Sequence, residues 1–332
     1  MDLKTLTEIN APSGHEQAIR RFLLDELKKL GFAPVLDRMG NVVVVKEGTG
    51  DAPRKRVMVS AHMDEVGLIV TSATEDGYLR IAAAGGIDPR VLVSKRVTVG
   101  EDKLPGVIGA VPIHLQSAAE RKHVLSMDEL LVDIGAKNKD EAECKAPMGT
   151  YISFDTPYVE YGDGFACGKA FDDRVGCLSL LRLLQEELPV DLVACFVSEE
   201  EVGCRGAKGA AFQQEPDVGI VLEGTTCNDL GDVPETAHVC EAGQGVAVSF
   251  MDGASIANRA LFRKALDVAK QENIPHQVKH SVSGGAIQRA REGVPVVVLS
   301  VPCRYIHSPS SVVKLSDVES QFALVKALVK VL

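Results

Sequence analysis

The sequence contains no tryptophan, and aromatic residues make up only 5% of it. The ring surfaces that grip sugars or single-stranded nucleic acid are therefore scarce. No apolar run approaches the ~20 residues needed to span a bilayer, and the opening Met1-Asp2-Leu3-Lys4-Thr5 lacks the basic-then-apolar layout of a secretory leader. The eight cysteines include no Cys-x-x-Cys pair, which removes zinc ribbons and thioredoxin-like redox motifs. Positive charge is in deficit as well: 36 Lys and Arg stand against 46 Asp and Glu, a net charge of -10. That sign disfavours a general phosphate-binding surface. Together these absences lead us to expect a folded cytoplasmic protein that binds neither nucleic acid nor membrane.

What is present is an ordinary globular composition, 45% hydrophobic and 25% charged over 332 residues, enough for one large domain or two smaller ones. Ser13 and Glu16 form the pattern of a capping box ahead of Ile19, Phe22, Leu23 and Leu27, which predicts a helix over about 14–30 ended by Gly31. Strands are expected at 42–45 and 57–61, the second apolar enough to be buried on both faces. From 67 to about 164 the texture turns to short strand-like pieces and many glycines, the signature of a separate β-rich module. Helix and strand then alternate: helices at 172–187, 206–214, 256–272 and 317–332, and strands at 191–197, 219–222 and 294–300. The expected fold class is α/β, a mostly parallel sheet sandwiched by helices and formed from 1–66 and 164–332, with 67–163 inserted as a β-rich domain.

Chemistry-bearing residues follow the predicted strands. His62-Met63-Asp64-Glu65 comes after the first buried strand, Glu199-Glu200-Glu201 after the second, Glu223 after the third and His307 after the last. In open α/β sheets the ligand crevice lies outside the carboxyl ends of the strands, so these distant residues can converge there. Two histidines with several carboxylates and no thiolate suit Zn²⁺, Co²⁺ or Mn²⁺. The set is large enough for a two-metal hydrolase if a carboxylate bridges the ions, and Asp172 or Asp173 is the candidate. Both fall at a predicted helix start, where a carboxylate is also favoured simply as a cap. The acidic triplet would ordinarily be a solvated loop; its position after a buried strand makes it a candidate for one metal ligand and one general base.

The whole chain resembles the tetrahedral aminopeptidases, a family of di-metal peptidases that includes glutamyl aminopeptidases. The resemblance is carried, in order, by Ala11-Pro12-Ser13-Gly14-His15-Glu16, Ala61-His62-Met63-Asp64-Glu65-Val66-Gly67, Gly85-Gly86-Ile87-Asp88-Pro89-Arg90, Gly168-Lys169-Ala170-Phe171-Asp172-Asp173-Arg174, Glu200-Glu201-Val202-Gly203 and Val301-Pro302-Cys303-Arg304-Tyr305-Ile306-His307-Ser308-Pro309. It implies an aminopeptidase acting on peptides, with Asp172 as the bridge, His62 and Glu223 on one metal, Glu201 and His307 on the other, Glu200 as general base, and Asp64 bonded to the His62 imidazole to hold its tautomer. It also implies that 67–163 is a β-barrel-like dimerisation domain and that the chain forms a homo-oligomer, as in the dodecamers built by family members. Two positions depart from the family. Residues 280–285 lack a usual acidic side chain, and Glu223 stands where Asp is common.

Overall fold

The structure is a computed structural model that describes residues 2–251, 256–280 and 285–332. Eleven strands form one sheet: β1 (Val35–Leu36), β2 (Val42–Lys46) and β3 (Arg56–His62) precede the insertion, and β10 (Val159–Tyr161), β11 (Phe165–Gly168), β12 (Asp191–Val197), β13 (Val218–Thr226), β14 (Val246–Met251), β15 (His276–His280), β16 (Val296–Arg304) and β17 (Ser311–Lys314) follow it. Between them β4 (Gly67–Ala73), β5 (Leu79–Ala84), β6 (Arg96–Val99), β7 (Leu104–Gly109), β8 (Leu131–Asp133) and β9 (Tyr151–Phe154) close into a separate barrel in the order β4-β5-β8-β7-β6-β9.

The sheet is mixed. Its centre, β12-β3-β13-β16, is parallel, while β2, β14 and β17 join that centre antiparallel. The central strands read as continuous apolar runs because both faces are covered. Along β3, Val57, Val59 and Ala61 pack with the helices Gln17–Lys29, Phe171–Leu183 and Leu315–Lys330. Met58, between them, faces Ala207, Ala210 and Ala211 of the helix Arg205–Gln214 on the opposite side. The barrel has its own core, including Leu68, Val70, Ile81, Val97, Ile108, Val132 and Ile152. Closure leaves it no free sheet edge, which makes a small β module tolerable in solution.

The helix Gln17–Lys29 differs from expectation at its start. Glu16 is its N-cap residue without a side-chain cap bond. The Ser13 hydroxyl donates instead to Asp64 Oδ2 at 2.5 Å, so a side chain expected to cap a helix is tied to the loop after β3. Gly31 ends the helix as expected, at φ 86°. β10 pairs with β11 and thereby joins the large sheet rather than the barrel.

The loops around β3 and the helix Phe171–Leu183 are joined by a buried ion network. Lys169 Nζ lies 2.8 Å from both Glu65 oxygens, Glu65 also accepts the Ala11 N–H, and Arg174 Nη1 donates to the carbonyls of Leu6 and Ile9. Glu65, Lys169 and Arg174 are all buried. Removing one partner of a buried pair leaves the other charge uncompensated, at a cost of about 3 to 5 kcal/mol. Glu65→Ala is expected to lose that much in urea unfolding, and Glu65→Leu combined with Lys169→Met to recover part of it. A single-variant loss below about 1 kcal/mol would show the network to be incidental.

Candidate metal centre

Because β12, β3, β13 and β16 are parallel neighbours, their carboxyl ends open on one side of the sheet. His62 is the last residue of β3, Glu200 and Glu201 follow β12, and His307 follows β16. Glu223 lies within β13 rather than after it. The pairing of β13 with β3 stops at Val221, which frees the next stretch of β13 to face the crevice. Asp172 reaches the same point from the start of the helix Phe171–Leu183, where Asp172 and Asp173 themselves have non-helical backbone angles.

Asp172 lies at the centre. Its Oδ1 is 3.3 Å from His62 Nε2, and that same nitrogen is 3.5 Å from Glu223 Oε2. Its Oδ2 is 3.4 Å from His307 Nε2, which in turn is 3.1 Å from Glu201 Oε2. Donor atoms sharing a cation at about 2.0–2.2 Å stand roughly 3 to 3.5 Å apart. Each oxygen of one carboxylate therefore faces a histidine whose Nε2 also meets a glutamate. Gly224 makes this approach possible: its N–H donates to Asp172 Oδ1 at 3.1 Å, and a Cβ there would fall 2.9 Å from that oxygen.

Both imidazoles are turned the same way. His62 Nδ1 is 3.1 Å from the Asp64 main-chain carbonyl, and His307 Nδ1 is 2.9 Å from the Gly86 carbonyl. A carbonyl accepts only, so each Nδ1 carries a proton and each Nε2 is the nitrogen that faces the carboxylates and would face a cation. The Asp64 carboxylate is farther from His62 Nδ1, at 3.5 Å. Its role is wider than the expected one, because it accepts the Ser13 hydroxyl and the N–H groups of Glu200 and Glu201. It thus fixes the acidic loop beside the histidine.

Asp173 shares the crowding with His62 and Glu223. Its oxygens, however, accept the N–H groups of His62 and Gly176, so it caps the helix while Asp172 faces the histidines. Glu199 turns outward to Arg205. His15 stacks on Tyr151, His123 and His238 pair with surface glutamates, and His276 bonds the Ile274 carbonyl. The departure at 280–285 falls on residues whose side chains lie outside the described ones.

Burial dominates the electrostatics. It pushes the Glu201 and Asp173 carboxyls well above their ordinary range, with added repulsion from Asp172, and raises Glu223 to about 8. Burial works against charge on the histidines too, but the surrounding carboxylates outweigh it. Glu223, Asp172 and Asp64 raise His62, and Asp172 with Glu201 raises His307 to about 9. Asp172 is the exception among the acids: against burial, bonds from His307 and His62 hold it well below the carboxylate norm. At neutral pH Glu223 and His307 keep protons unless a cation takes their place.

Three residues without a signal in the sequence also meet the site. A cavity of about 1190 Å³ is lined by Asp172, Glu200, Glu201, Glu223 and His307 and also by Lys279, Ser300 and Cys204. Lys279 is buried, and its ammonium donates to Thr225 Oγ1 and the Thr226 carbonyl. It has no carboxylate partner among the described residues. The Ser300 hydroxyl is buried and without a hydrogen-bond partner among the described residues.

Comparison with known proteins gives a consistent result. The profile of the family described as M42 glutamyl aminopeptidase matches residues 40–324. The lysyl aminopeptidase of Pyrococcus furiosus is 33% identical over 99% of this chain and 96% of its own. The glutamyl aminopeptidase of Lactococcus lactis is 32% identical over 98% and 94%. Among solved structures, the Pyrococcus horikoshii TET1 peptidase, described as assembling into a tetrahedron or a large octahedral shell, superposes with a TM-score of 0.87 at 32% identity, covering 99% of this chain and 98% of its own.

Because His307 and Glu223 hold protons up to about 9 and about 8, and a cation needs both deprotonated, metal uptake must release protons. Affinity for Zn²⁺ is expected to rise between about pH 6 and pH 8, by up to about tenfold per pH unit for each proton displaced. Calorimetry in buffers of different ionisation enthalpy reads the proton count directly. A pH-independent affinity would contradict the arrangement.

Proposed function

The chain belongs to the M42 glutamyl aminopeptidase family, and we propose that it removes N-terminal residues from peptides at a site holding two divalent cations bridged by Asp172. It is a peptide hydrolase by that membership; the two-cation site, the residue roles and the substrate preference are our reading. The observation that carries it is the single carboxylate whose two oxygens each face a histidine that in turn meets a glutamate. His62 and Glu223 would hold one ion, His307 and Glu201 the other, and zinc, cobalt and manganese all suit these donors. When bound, such a pair supplies an activated water and polarises the scissile carbonyl.

Glu200 is assigned as the general base. Its carboxylate lines the cavity beside the ligand set, where it takes a proton from the attacking water and returns it to the leaving amine. The surrounding carboxylates favour a free α-ammonium over a blocked chain end. Lys279 supports a further choice. Relatives of nearly equal identity carry names with opposite charge preferences, lysyl and glutamyl, so side-chain preference has to come from each chain's own pocket. Here the pocket holds a buried ammonium without a carboxylate partner among the described residues, which favours acidic N-terminal residues.

The domain division at 67 and 163 and a role for the barrel in self-association are part of the same proposal. The arm between β7 and β8 exposes Val111 at 61%, Ile113 at 60%, Leu115 at 77% and Val124 at 60%, apolar side chains suited to an interface between copies. All eight cysteines are free, which fits a reducing cytosolic setting.

Glu200→Gln is expected to bind two metal ions per chain, as the parent does, and to lose turnover by about 10² to 10⁴. Normal activity in that variant would overturn its role as base. On a panel of aminoacyl reporters with free and N-acetylated termini, only free termini should be cleaved. Acidic residues should lead, and Lys279→Met should cut kcat/KM for them about 30-fold or more while sparing alanyl substrates. An unchanged ranking would remove Lys279 from the account of specificity.

A further inference from the structure

We infer that Cys204 is a positioning residue for Glu200, its thiol donating to one carboxylate oxygen so that the other is held toward the cavity. The inference rests on the reading of Glu200 as general base. The Cys204 sulfur lies 2.9 Å from Glu200 Oε1. Both residues line the cavity that contains the metal-facing groups.

The local backbone explains why a thiol stands there. After Glu200 the chain turns tightly: the N–H groups of Gly203 and Cys204 both donate to the Glu200 carbonyl, at 2.9 and 2.8 Å. Cys204 takes a left-handed conformation, φ 52°, as the N-cap residue of the helix Arg205–Gln214. This turn carries its side chain back over Glu200. At the other end the Glu200 N–H donates to Asp64 Oδ1 at 3.0 Å. The main chain of Glu200 is thus held by Asp64 and its side chain by Cys204.

A tether is needed because the neighbourhood repels this carboxylate. The buried carboxyl groups of Glu201 and Glu223 line the same cavity as Glu200. A flexible side chain under that repulsion would swing away from the acids. Burial, and then the charge of Glu200, pushes the Cys204 thiol up, so it remains an S–H donor through the neutral range. No bond to Cys204 forms or breaks in the reaction; it keeps its proton and restricts one rotor, the kind of preorganisation that raises kcat rather than affinity.

The test compares Cys204→Ala and Cys204→Ser with the parent, all metal-loaded, on one reporter peptide. Cys204→Ala should lower kcat about fivefold to tenfold with KM and bound metal unchanged, and Cys204→Ser, which keeps a donor, should stay within about twofold of the parent. Independently of turnover, the infrared S–H band isolated by subtracting the Cys204→Ala spectrum should shift when Glu200 is changed to Gln. An unaltered kcat in Cys204→Ala, a loss that tracks metal content, or an S–H band indifferent to Glu200→Gln would each overturn the inference. A parent that cleaves no peptide would instead sink the peptidase reading, and the role of Cys204 with it.

Discussion

Carboxylates are crowded together where water cannot screen them, and the remainder of the site answers that crowding. Asp172 lies within 4.8 Å of Glu201, and Asp173 within 4.8 Å of Glu223, measured between their nearest potential ligand atoms. Two unit charges at that distance repel by about 3.5 kcal/mol at an effective dielectric of about 20. Two such pairs are comparable to the whole stability of an ordinary domain, about 5 to 15 kcal/mol. The fold tolerates them because protons or cations neutralise most of the set, and because main-chain donors and imidazoles surround what remains. Gly224 and Gly176 donate to Asp172 and Asp173, and the acidic loop is held by Asp64.

Asp64 and Glu65 divide the scaffolding between them. Asp64 ties β3 to the loop after β12 and to Ser13 near the amino terminus. Glu65 ties the same turn to Lys169, in the segment that delivers Asp172. Adjacent residues thus point into separate buried networks, one holding His62 and the acidic loop and the other the segment that carries Asp172. The carboxylates at 64 and 65 do not line the cavity, yet they set where its lining groups stand.

Much of this was legible in the chain. The buried strands β3 and β12 showed themselves as unbroken apolar runs, and β12 occupies the expected residues 191–197. His62, Glu201, Glu223 and His307 were recognisable because each is a ligand-type residue near a strand end, and the structure brings them together around Asp172. Other features carry no local signature. The choice between Asp172 and Asp173 depends on which main-chain donors each meets. Ser13 reads as a cap because Glu16 follows it at the right spacing; only the tertiary approach of Asp64 redirects its hydroxyl. The antiparallel flanks β14 and β17 were not expected: β17 has only four residues, too few for a distinct period, and β14 has six. Lys279 and Ser300 lie in ordinary-looking strand sequence and matter only through the cavity they share.

The Gly86 carbonyl that accepts the proton of His307 Nδ1 follows β5 of the barrel, whereas His307 follows β16 of the large sheet. The orientation of one candidate ligand is therefore borrowed from the other module. Any force that shifts the barrel, including contacts made when copies of the chain come together, acts on that imidazole through this one bond. Thermodynamic reciprocity then runs in both directions. Packing of the barrel would bias ion retention, and ion occupancy would in turn stiffen the seam between the two modules, making quaternary state and cofactor content mutually dependent variables.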